Sequence, residues 1–184
     1  MNATELVTVL NPSRLFLTGY RGAGKSVVAR RLAPLLGCQA VDADQVIVER
    51  AGKSIASLFA EEGESAFRDL EEQVVAELCQ CKNVTVALGG GAVLREATRN
   101  RLRQAGPVVW LTADAETLAK RIGSDETSAA NRPALTNLNR LEEVKKLLAE
   151  RNPLYQQCAT VSFDTGVMSP DDVAADIIRW LQSR

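Results

Sequence analysis

The sequence predicts an α/β domain with a mostly parallel β-sheet flanked by helices. Short apolar runs alternate along the chain with segments of helical periodicity, which is the pattern of successive strand–helix units. A glycine-rich segment carrying a lysine and a hydroxyl joins the first strand to the first helix. A chain of 184 residues has the length of one domain with a substantial core. We therefore expect residues 1–184 to form a single domain.

Five short apolar runs are predicted to form the strands of this sheet. They cover residues 14–18, 39–44, 83–88, 107–112 and 160–164. Between them, helical spacing or capping residues predict helices over 25–36, 45–51, 54–60, 64–80, 95–104, 114–121 and 139–150, and from Ser169 onward. A polar stretch without periodicity, about 123–137, is either a linker or a lid. The elements on both sides of it favour a lid within one domain.

The charge and hydropathy of the chain exclude several classes of partner. A net charge of −1 at pH 7 leaves no overall basic field to attract nucleic acid or an anionic membrane. No apolar run has the length of a membrane-spanning helix, and the first residues lack the pattern of a signal peptide. We therefore expect a cytoplasmic protein that binds neither nucleic acid nor membrane.

The composition also limits the chemistry that the protein can perform. The chain has no histidine, which excludes a Ser-His or Cys-His nucleophile. Its 4 cysteines lack the paired spacing of a zinc site, so free thiols are expected. Any catalysis must depend on carboxylates, lysine, arginine or a bound metal.

The segment GYRGAGKS, residues 19–26, matches the phosphate-binding loop pattern G-x4-G-K-S between a strand and a helix. Its glycines allow successive N–H groups to point toward phosphate oxygens, and the following helix adds its positive dipole end. Lys25 is expected to reach the β- and γ-phosphates, and the Ser26 hydroxyl to ligate Mg²⁺. The predicted nucleotide-binding residues here are Gly22, Ala23, Gly24, Lys25, Ser26 and Val27. The alternative is a glycine-rich turn without a ligand.

Two acidic residues, Asp42 and Asp44, end the second predicted strand. Ligands of open α/β sheets gather at the carboxyl ends of strands, and residues two apart in an extended chain point the same way. Both carboxylates are therefore expected to face one cleft, where one holds magnesium through water and the other receives a proton from a substrate hydroxyl. In the alternative interpretation, Asp44 only caps the next helix.

Arg68 and Glu71 lie three residues apart near the apolar face of the helix predicted over 64–80. A charge that faces inward is costly unless it is paired, so the two are expected to pair and line a pocket. The alternative is an exposed ion pair of little energetic value.

Three consecutive glycines, Gly89, Gly90 and Gly91, follow the third predicted strand. Such a run loses much conformational entropy on folding, so a ligand that approaches the main chain closely, or unusual dihedral angles, would explain it. A plain tight turn is the alternative.

Two arginines lie in or after the polar stretch, Arg132 in NRPAL and Arg151 in RNPLY. Arginine suits bidentate recognition of carboxylate or phosphate, and an arginine on a lid stabilises the transferred phosphoryl group only when the lid closes. Either residue is otherwise a solvated surface charge.

The segments GYRGAGKS, DAD, FRDLE, LGGGAV, NRPAL and RNPLY, in this order and approximate spacing, resemble the shikimate kinase family along nearly the whole chain. The resemblance implies ATP-dependent phosphorylation of the 3-hydroxyl of shikimate, a step toward chorismate and the aromatic amino acids. It also implies a monomeric P-loop NTPase fold of the nucleoside-monophosphate-kinase type. Its five-stranded parallel sheet would have the order 2-3-1-4-5.

The resemblance further assigns roles to residues of this sequence. Asp44, Lys25 and Arg132 are implied to be catalytic, with Asp44 as the base and Arg132 over the phosphates. The implied shikimate-binding residues are Asp44, Arg68, Glu71, Gly89, Gly90, Gly91 and Arg151. Both Arg68 and Arg151 would bind the carboxylate of shikimate, and Glu71 would orient Arg68.

The implied magnesium residues are Ser26 and Asp42, and Pro170 is implied to touch the adenine.

Three other functions remain as competing hypotheses. They are a kinase of another polyol such as gluconate, a P-loop protein that binds nucleotide without catalysis, and a nucleoside-monophosphate kinase. The substrate-binding segments and the retained Lys25 and Asp44 oppose the first two, and the lack of a second basic cluster opposes the third.

Overall fold

The computed structural model describes residues 13–124 and 139–184. Its strands are β1 (Arg14–Thr18), β2 (Gln39–Asp42), β3 (Val84–Ala87), β4 (Val108–Thr112) and β5 (Val161–Asp164). They form a 5-stranded parallel sheet in the order β2-β3-β1-β4-β5. In register, Phe16 of β1 lies between Val86 of β3 and Val108 of β4. The predicted fold class and strand order are confirmed.

Helices connect these strands and cover the sheet. They are α1 (Lys25–Leu36), α2 (Ala43–Ala51), α3 (Ile55–Leu78), α4 (Glu96–Ala105), α5 (Ala115–Ser124), α6 (Arg140–Cys158) and α7 (Pro170–Gln182). The side chains of Ser54, Asn139 and Ser169 cap α3, α6 and α7 by accepting a backbone N–H bond from the first turn. In the described part of the chain, no helix combines the length and the apolar character that crossing a bilayer requires.

The core lies on both faces of the sheet. Phe16 points into a cluster with residues of α2, α3 and α6, and its neighbours Leu15 and Leu17 point into a second cluster with α1 and α7. All three side chains are fully buried. Burial on both faces is the reason that the central strand reads as a continuous apolar run.

The strand predicted over 39–44 is too long, because the chain turns into a helix two residues earlier. β2 ends at Asp42, whose carboxylate Oδ1 accepts a hydrogen bond from the backbone N–H of Asp44 at 3.0 Å. Asp42 is therefore the N-cap of α2, and Asp44 lies in its first turn. The argument that the two carboxylates share one side of a strand is wrong, and so is the alternative that Asp44 is the cap.

The two helices predicted over 54–60 and 64–80 are joined end to end as α3. Gly63 breaks the helical geometry between them, with φ of 85° and ψ of 171°. This region of dihedral space is essentially limited to glycine. The chain therefore turns a corner at Gly63, between residues 55–62 of α3 and the part that carries Arg68 and Glu71.

The helix predicted over 139–150 continues to Cys158 through Pro153. Proline removes a backbone donor and disfavours helical geometry before it, which is why the prediction stopped early. Tyr155 and Cys158, both buried in the core, stabilise the additional turns. The extension places Arg151 inside a helix. Most of the lid predicted over 123–137, with Arg132, lies outside the described residues.

Candidate active site

The phosphate-binding loop joins the end of the central strand β1 to the start of α1. A side chain at Gly19, where φ is 137°, would collide with the backbone carbonyl of Leu111 in β4. The ammonium of Lys25 donates to the carbonyls of Gly19 and Tyr20, at 2.8 and 2.9 Å. The loop thus holds a buried cation at the N-terminus of α1, where the helix dipole adds positive potential.

An oxygen pair lies beside the loop, at the junction of β2 and α2. The hydroxyl of Ser26 donates to Asp42 Oδ2 at 2.5 Å, while Asp42 Oδ1 caps α2. A hydroxyl and a carboxylate are ligands that Mg²⁺ prefers, and this ion usually takes only one or two protein ligands beside phosphates and water. Within 13–124 and 139–184, no larger cluster of cysteine and acidic residues is arranged to hold a metal.

A cleft of about 750 Å³ opens over the loop. The predicted nucleotide residues that line it are Gly22, Ala23, Gly24, Lys25, Ser26, Val27 and Pro170. Both Asp42 and Asp44 line the same cleft. Apart from Arg132, every residue predicted to hold nucleotide or metal therefore lies around one cavity, whose size is typical of small-molecule sites.

Arg121 of α5 is a residue of this cleft that the sequence did not identify. Its guanidinium donates to the Thr165 carbonyl at 2.6 Å, to the Thr165 hydroxyl at 3.1 Å and to the Gly22 carbonyl at 3.4 Å. It thereby joins the phosphate-binding loop to the segment that precedes α7. An arginine in the last turn of a helix gives no sequence signal that separates it from a surface charge.

Arg68 and Glu71 form a buried ion pair, so the exposed alternative is wrong. Their Nη1–Oε2 distance is 2.5 Å, and the side chains are 11% and 5% exposed. On the solvent side, Glu64 accepts from Arg68 at 3.3 Å. Burial raises the pKa of Glu71, and the nearby charge of Arg68 opposes this shift.

The glycine segment lies directly against these charged side chains. A Cβ atom at Gly89 would lie 2.7 Å from both Asp44 Oδ1 and Glu71 Oε1, and one at Gly91 would collide with the guanidinium of Arg68. The segment is also a turn, with Ala92 N–H donating to the Gly89 carbonyl at 3.1 Å. The turn interpretation of the three glycines therefore holds, and the close approach described here is made by the protein's own charged groups. Approach of a ligand to this segment stays a prediction.

Arg151 reaches the same segment from α6. Its guanidinium is 3.5 Å from the Gly90 carbonyl, and its side chain is buried. Tyr155, one turn further along α6, donates its hydroxyl to the same carbonyl at 2.5 Å. The ring of Tyr20 lies 5.8 Å from the guanidinium carbon of Arg151. Sequence reasoning missed Tyr155, because the predicted helix ended before Pro153.

The predicted site residues thus form two neighbouring groups. One surrounds the cleft over the phosphate-binding loop, and the other consists of Arg68, Glu71, the three glycines and Arg151. Asp44 belongs to both, because it lines the cleft and also lies against Gly89 beside Glu71. A group bound in the cleft and a second molecule bound by the arginines would meet at Asp44.

The comparisons with known proteins identify the family. A family model described as shikimate kinase matches residues 21–182. The chain belongs to the shikimate kinase family. The matched residues include every predicted site residue, from the phosphate-binding loop to Pro170, and all of the second group.

Relatives in the shikimate kinase family match nearly the full length of the chain. The shikimate kinase of Rhodopirellula baltica is 42% identical over 170 residues, which cover 92% of this chain and 91% of the relative. The shikimate kinase of Nitrosococcus oceani is 42% identical over 168 residues, covering 91% and 86%. A solved structure of the shikimate kinase of Acinetobacter baumannii in complex with shikimate has a TM-score of 0.89 at 35% identity and covers 96% of each chain.

Proposed function

We propose that this protein transfers the terminal phosphoryl group of ATP to the 3-hydroxyl of shikimate, giving shikimate 3-phosphate and ADP. The reaction belongs to the synthesis of chorismate and the aromatic amino acids. Membership of the shikimate kinase family supports the proposal. The observation that carries it is the position of Asp44, which lies both in the cleft over the phosphate-binding loop and against Gly89 beside Glu71.

ATP would bind with its phosphates in the loop. The backbone N–H groups from Gly22 to Val27 and the dipole of α1 would surround the phosphate oxygens. The buried ammonium of Lys25 would add the positive charge that the β- and γ-phosphates require. Pro170, which lines the same cleft, would touch the adenine.

The pair of Ser26 and Asp42 fits a magnesium ion, because both oxygens already face each other at 2.5 Å beside the loop. When bound, Mg²⁺ would neutralise charge on the phosphate oxygens. Asp42 is fixed in place by the cap that it makes on α2, so the carboxylate would need little rearrangement to receive the ion.

Shikimate would bind through its carboxylate to Arg68 and Arg151. Glu71 would fix the orientation of Arg68 through the buried pair, and the Gly90 carbonyl would do the same for Arg151. The backbone of Gly89, Gly90 and Gly91 would form the wall against which the ring packs. A small anionic polyol needs cationic donors for its carboxylate and acceptors for its hydroxyls, and this group of residues supplies both.

Asp44 would accept the proton of the 3-hydroxyl as its oxygen attacks the γ-phosphorus. The bond to the β–γ bridging oxygen then breaks, and ADP leaves with that electron pair. Most of the rate enhancement in phosphoryl transfer comes from positioning and charge stabilisation, which Lys25 would supply in the loop. We propose the same role for Arg132, reaching the phosphates from the lid.

The proposal is tested by coupled ADP release with Mg²⁺ and ATP, with shikimate, quinate or gluconate added separately. We expect release that depends strictly on shikimate. ADP release with another polyol and not with shikimate would support phosphotransferase activity but refute shikimate as the substrate. ATP binding without stimulation by any of the three would favour a non-catalytic P-loop protein. An Asp44→Asn variant serves as a control, because it removes the base while keeping a side chain of the same shape.

We further propose that the protein is a cytoplasmic monomer made of one domain. Its 4 cysteines are all free, as is usual in a reducing compartment. Among the described residues, the exposed large apolar side chains are Val27, Leu35 and Val167, too few to make up a large apolar surface. Sedimentation at several protein concentrations would test the monomer.

A further inference from the structure

Tyr20 connects the two groups of residues that make up the candidate active site. It is the second residue of the phosphate-binding loop, yet its side chain is only 5% exposed and packs in the core beside α1. Its backbone carbonyl accepts a hydrogen bond from the ammonium of Lys25 at 2.9 Å. Its ring lies 5.8 Å from the guanidinium carbon of Arg151. One residue therefore contacts both the loop lysine and the arginine of the second group.

The contact with Arg151 matters because this guanidinium is buried. It is removed from most of the solvent, and its described contacts are the Gly90 carbonyl, Tyr155 and the Tyr20 ring, with the charge of Glu71 nearby. The negative face of an aromatic ring attracts a cation at this distance, and the attraction is larger where water is excluded. A change in the angle or position of the ring therefore changes how firmly Arg151 is held.

Each ligand would act on one end of this link. Nucleotide would act at Lys25, and the carboxylate of the second molecule would act at Arg151. A phosphate oxygen in the loop attracts the Lys25 ammonium, which now donates to the carbonyls of Gly19 and Tyr20. Weakening the bond to the Tyr20 carbonyl loosens the peptide that positions the ring, because this carbonyl then keeps only the hydrogen bond from the Ala23 N–H at 3.2 Å. A carboxylate paired with Arg151 draws the guanidinium away from the same ring.

We infer that Tyr20 is a positioning residue that couples nucleotide binding in the loop to shikimate binding at Arg151. The inference rests on the proposed function, because it requires that both ligands bind where proposed. Coupling of this kind is reciprocal: nucleotide changes the affinity for shikimate by the same factor as shikimate changes the affinity for nucleotide.

A second contact between the two groups offers a competing route for the same effect. A Cβ atom at Gly90 would lie 3.3 Å from the backbone nitrogen of Arg21 and 3.6 Å from the Gly19 carbonyl, so the glycine segment touches the loop directly. The Gly90 carbonyl in turn contacts Arg151. Substitutions of the Tyr20 side chain leave this backbone contact in place, which allows the two routes to be separated.

The experiment measures the dissociation constant of shikimate by calorimetry, with and without Mg-ADP, for the wild-type protein, Tyr20→Phe and Tyr20→Leu. We expect ADP to change the shikimate constant by about fivefold or more in the wild type, within the usual range for coupled sites. Tyr20→Phe keeps the ring face and should keep that factor. Tyr20→Leu removes the ring and should bring the factor to about one, while its shikimate affinity without nucleotide changes less. The ADP constant, measured with and without shikimate, should give the same factors.

Two results would overturn the inference and leave the proposed function intact. One is a coupling factor in Tyr20→Leu equal to that of the wild type, and the other is a coupling factor that is lost in Tyr20→Phe as well. The first would assign the coupling to the Gly90 contact. Failure of the wild type to bind shikimate at all would instead refute the proposed substrate. If thermal melting shows that Tyr20→Leu does not fold, Tyr20→Met replaces it, since a flexible apolar side chain fills the same core space without a ring.

Discussion

Removing the charge of Glu71 should separate the energetics of folding from those of substrate binding. Glu71→Ala leaves the guanidinium of Arg68, only 11% exposed, without its buried partner. Breaking a buried pair in this way typically destabilises a protein by about 3–5 kcal/mol. Because Glu64 still accepts from Arg68 at 3.3 Å on the solvent side, we expect the lower end of that range. This loss is a large share of the total stability of a domain.

Glu71→Gln should behave differently, because the amide keeps the shape and can still accept a hydrogen bond from Arg68. It also removes a carboxylate whose charge is disfavoured by burial, as the raised pKa of Glu71 indicates. These two effects offset each other, so we expect a stability within about 1 kcal/mol of the wild type. The shikimate KM should nevertheless rise by about tenfold, because the neutral amide orients Arg68 through a weaker hydrogen bond than the carboxylate does.

Urea unfolding and steady-state kinetics on the wild type and both Glu71 variants check this reasoning. The ATP KM serves as an internal control, because Glu71 lies in the second group of residues and not around the nucleotide cleft. Glu71→Ala as stable as the wild type would show that Arg68 does not depend on its partner. A shikimate KM changed less than twofold in Glu71→Gln would refute the orienting role.

Four further measurements test other parts of the site. Arg151→Ala should weaken shikimate binding by about 3–5 kcal/mol, and an unchanged shikimate affinity would contradict its assignment. Tyr155→Phe removes the 2.5 Å bond to the Gly90 carbonyl, so stability should fall by about 1 kcal/mol and the shikimate KM should rise while the ATP KM stays constant. Ser26→Ala should raise the Mg²⁺ concentration needed for half-maximal activity by about tenfold, with no effect if Ser26 is not a ligand. Finally, burial raises the pKa of Glu71, so the folded protein binds this proton more tightly than the unfolded chain, whose value is near 4.5. The contribution of Glu71 to stability is therefore present below pH 4.5 and is lost as the pH rises through the raised pKa, and Glu71→Gln should not show this slope in urea unfolding.

Local patterns were sufficient to predict most of the sheet and the phosphate-binding loop. The apolar run of β1 and the spacing of Gly19, Gly24 and Lys25 specify a strand, a turn and a helix start without reference to the rest of the chain. Helical periodicity likewise placed Glu71 close to the apolar face and Arg68 at its edge, but it left an exposed ion pair as the alternative, and the resemblance to a known family favoured the pocket. The strand order came from the resemblance to a known family.

Features set by distant contacts could not be predicted in the same way. Asp44 was predicted to lie in a strand. The cap made by Asp42 is a single hydrogen bond, and a short acidic segment has no sequence pattern that indicates it. Tyr155 was missed because core packing keeps the helix intact through Pro153 against its local preference. Arg121 joins the loop to Thr165, residues separated from it by 99 and 44 positions, which no local pattern records.

The backbone conformation at Gly63 restricts which residues can replace it, although there is free space around this position. A Cβ atom there meets nothing within 4 Å, so an alanine would fit the available space. Its φ of 85° and ψ of 171° are nevertheless closed to alanine, which instead favours the helical conformation by about 1 kcal/mol over glycine. Gly63→Ala would therefore tend to straighten α3 into one continuous rod. Residues 55–62 would then change position relative to the rest of α3, and Ile55, which lines the cleft, would move with them.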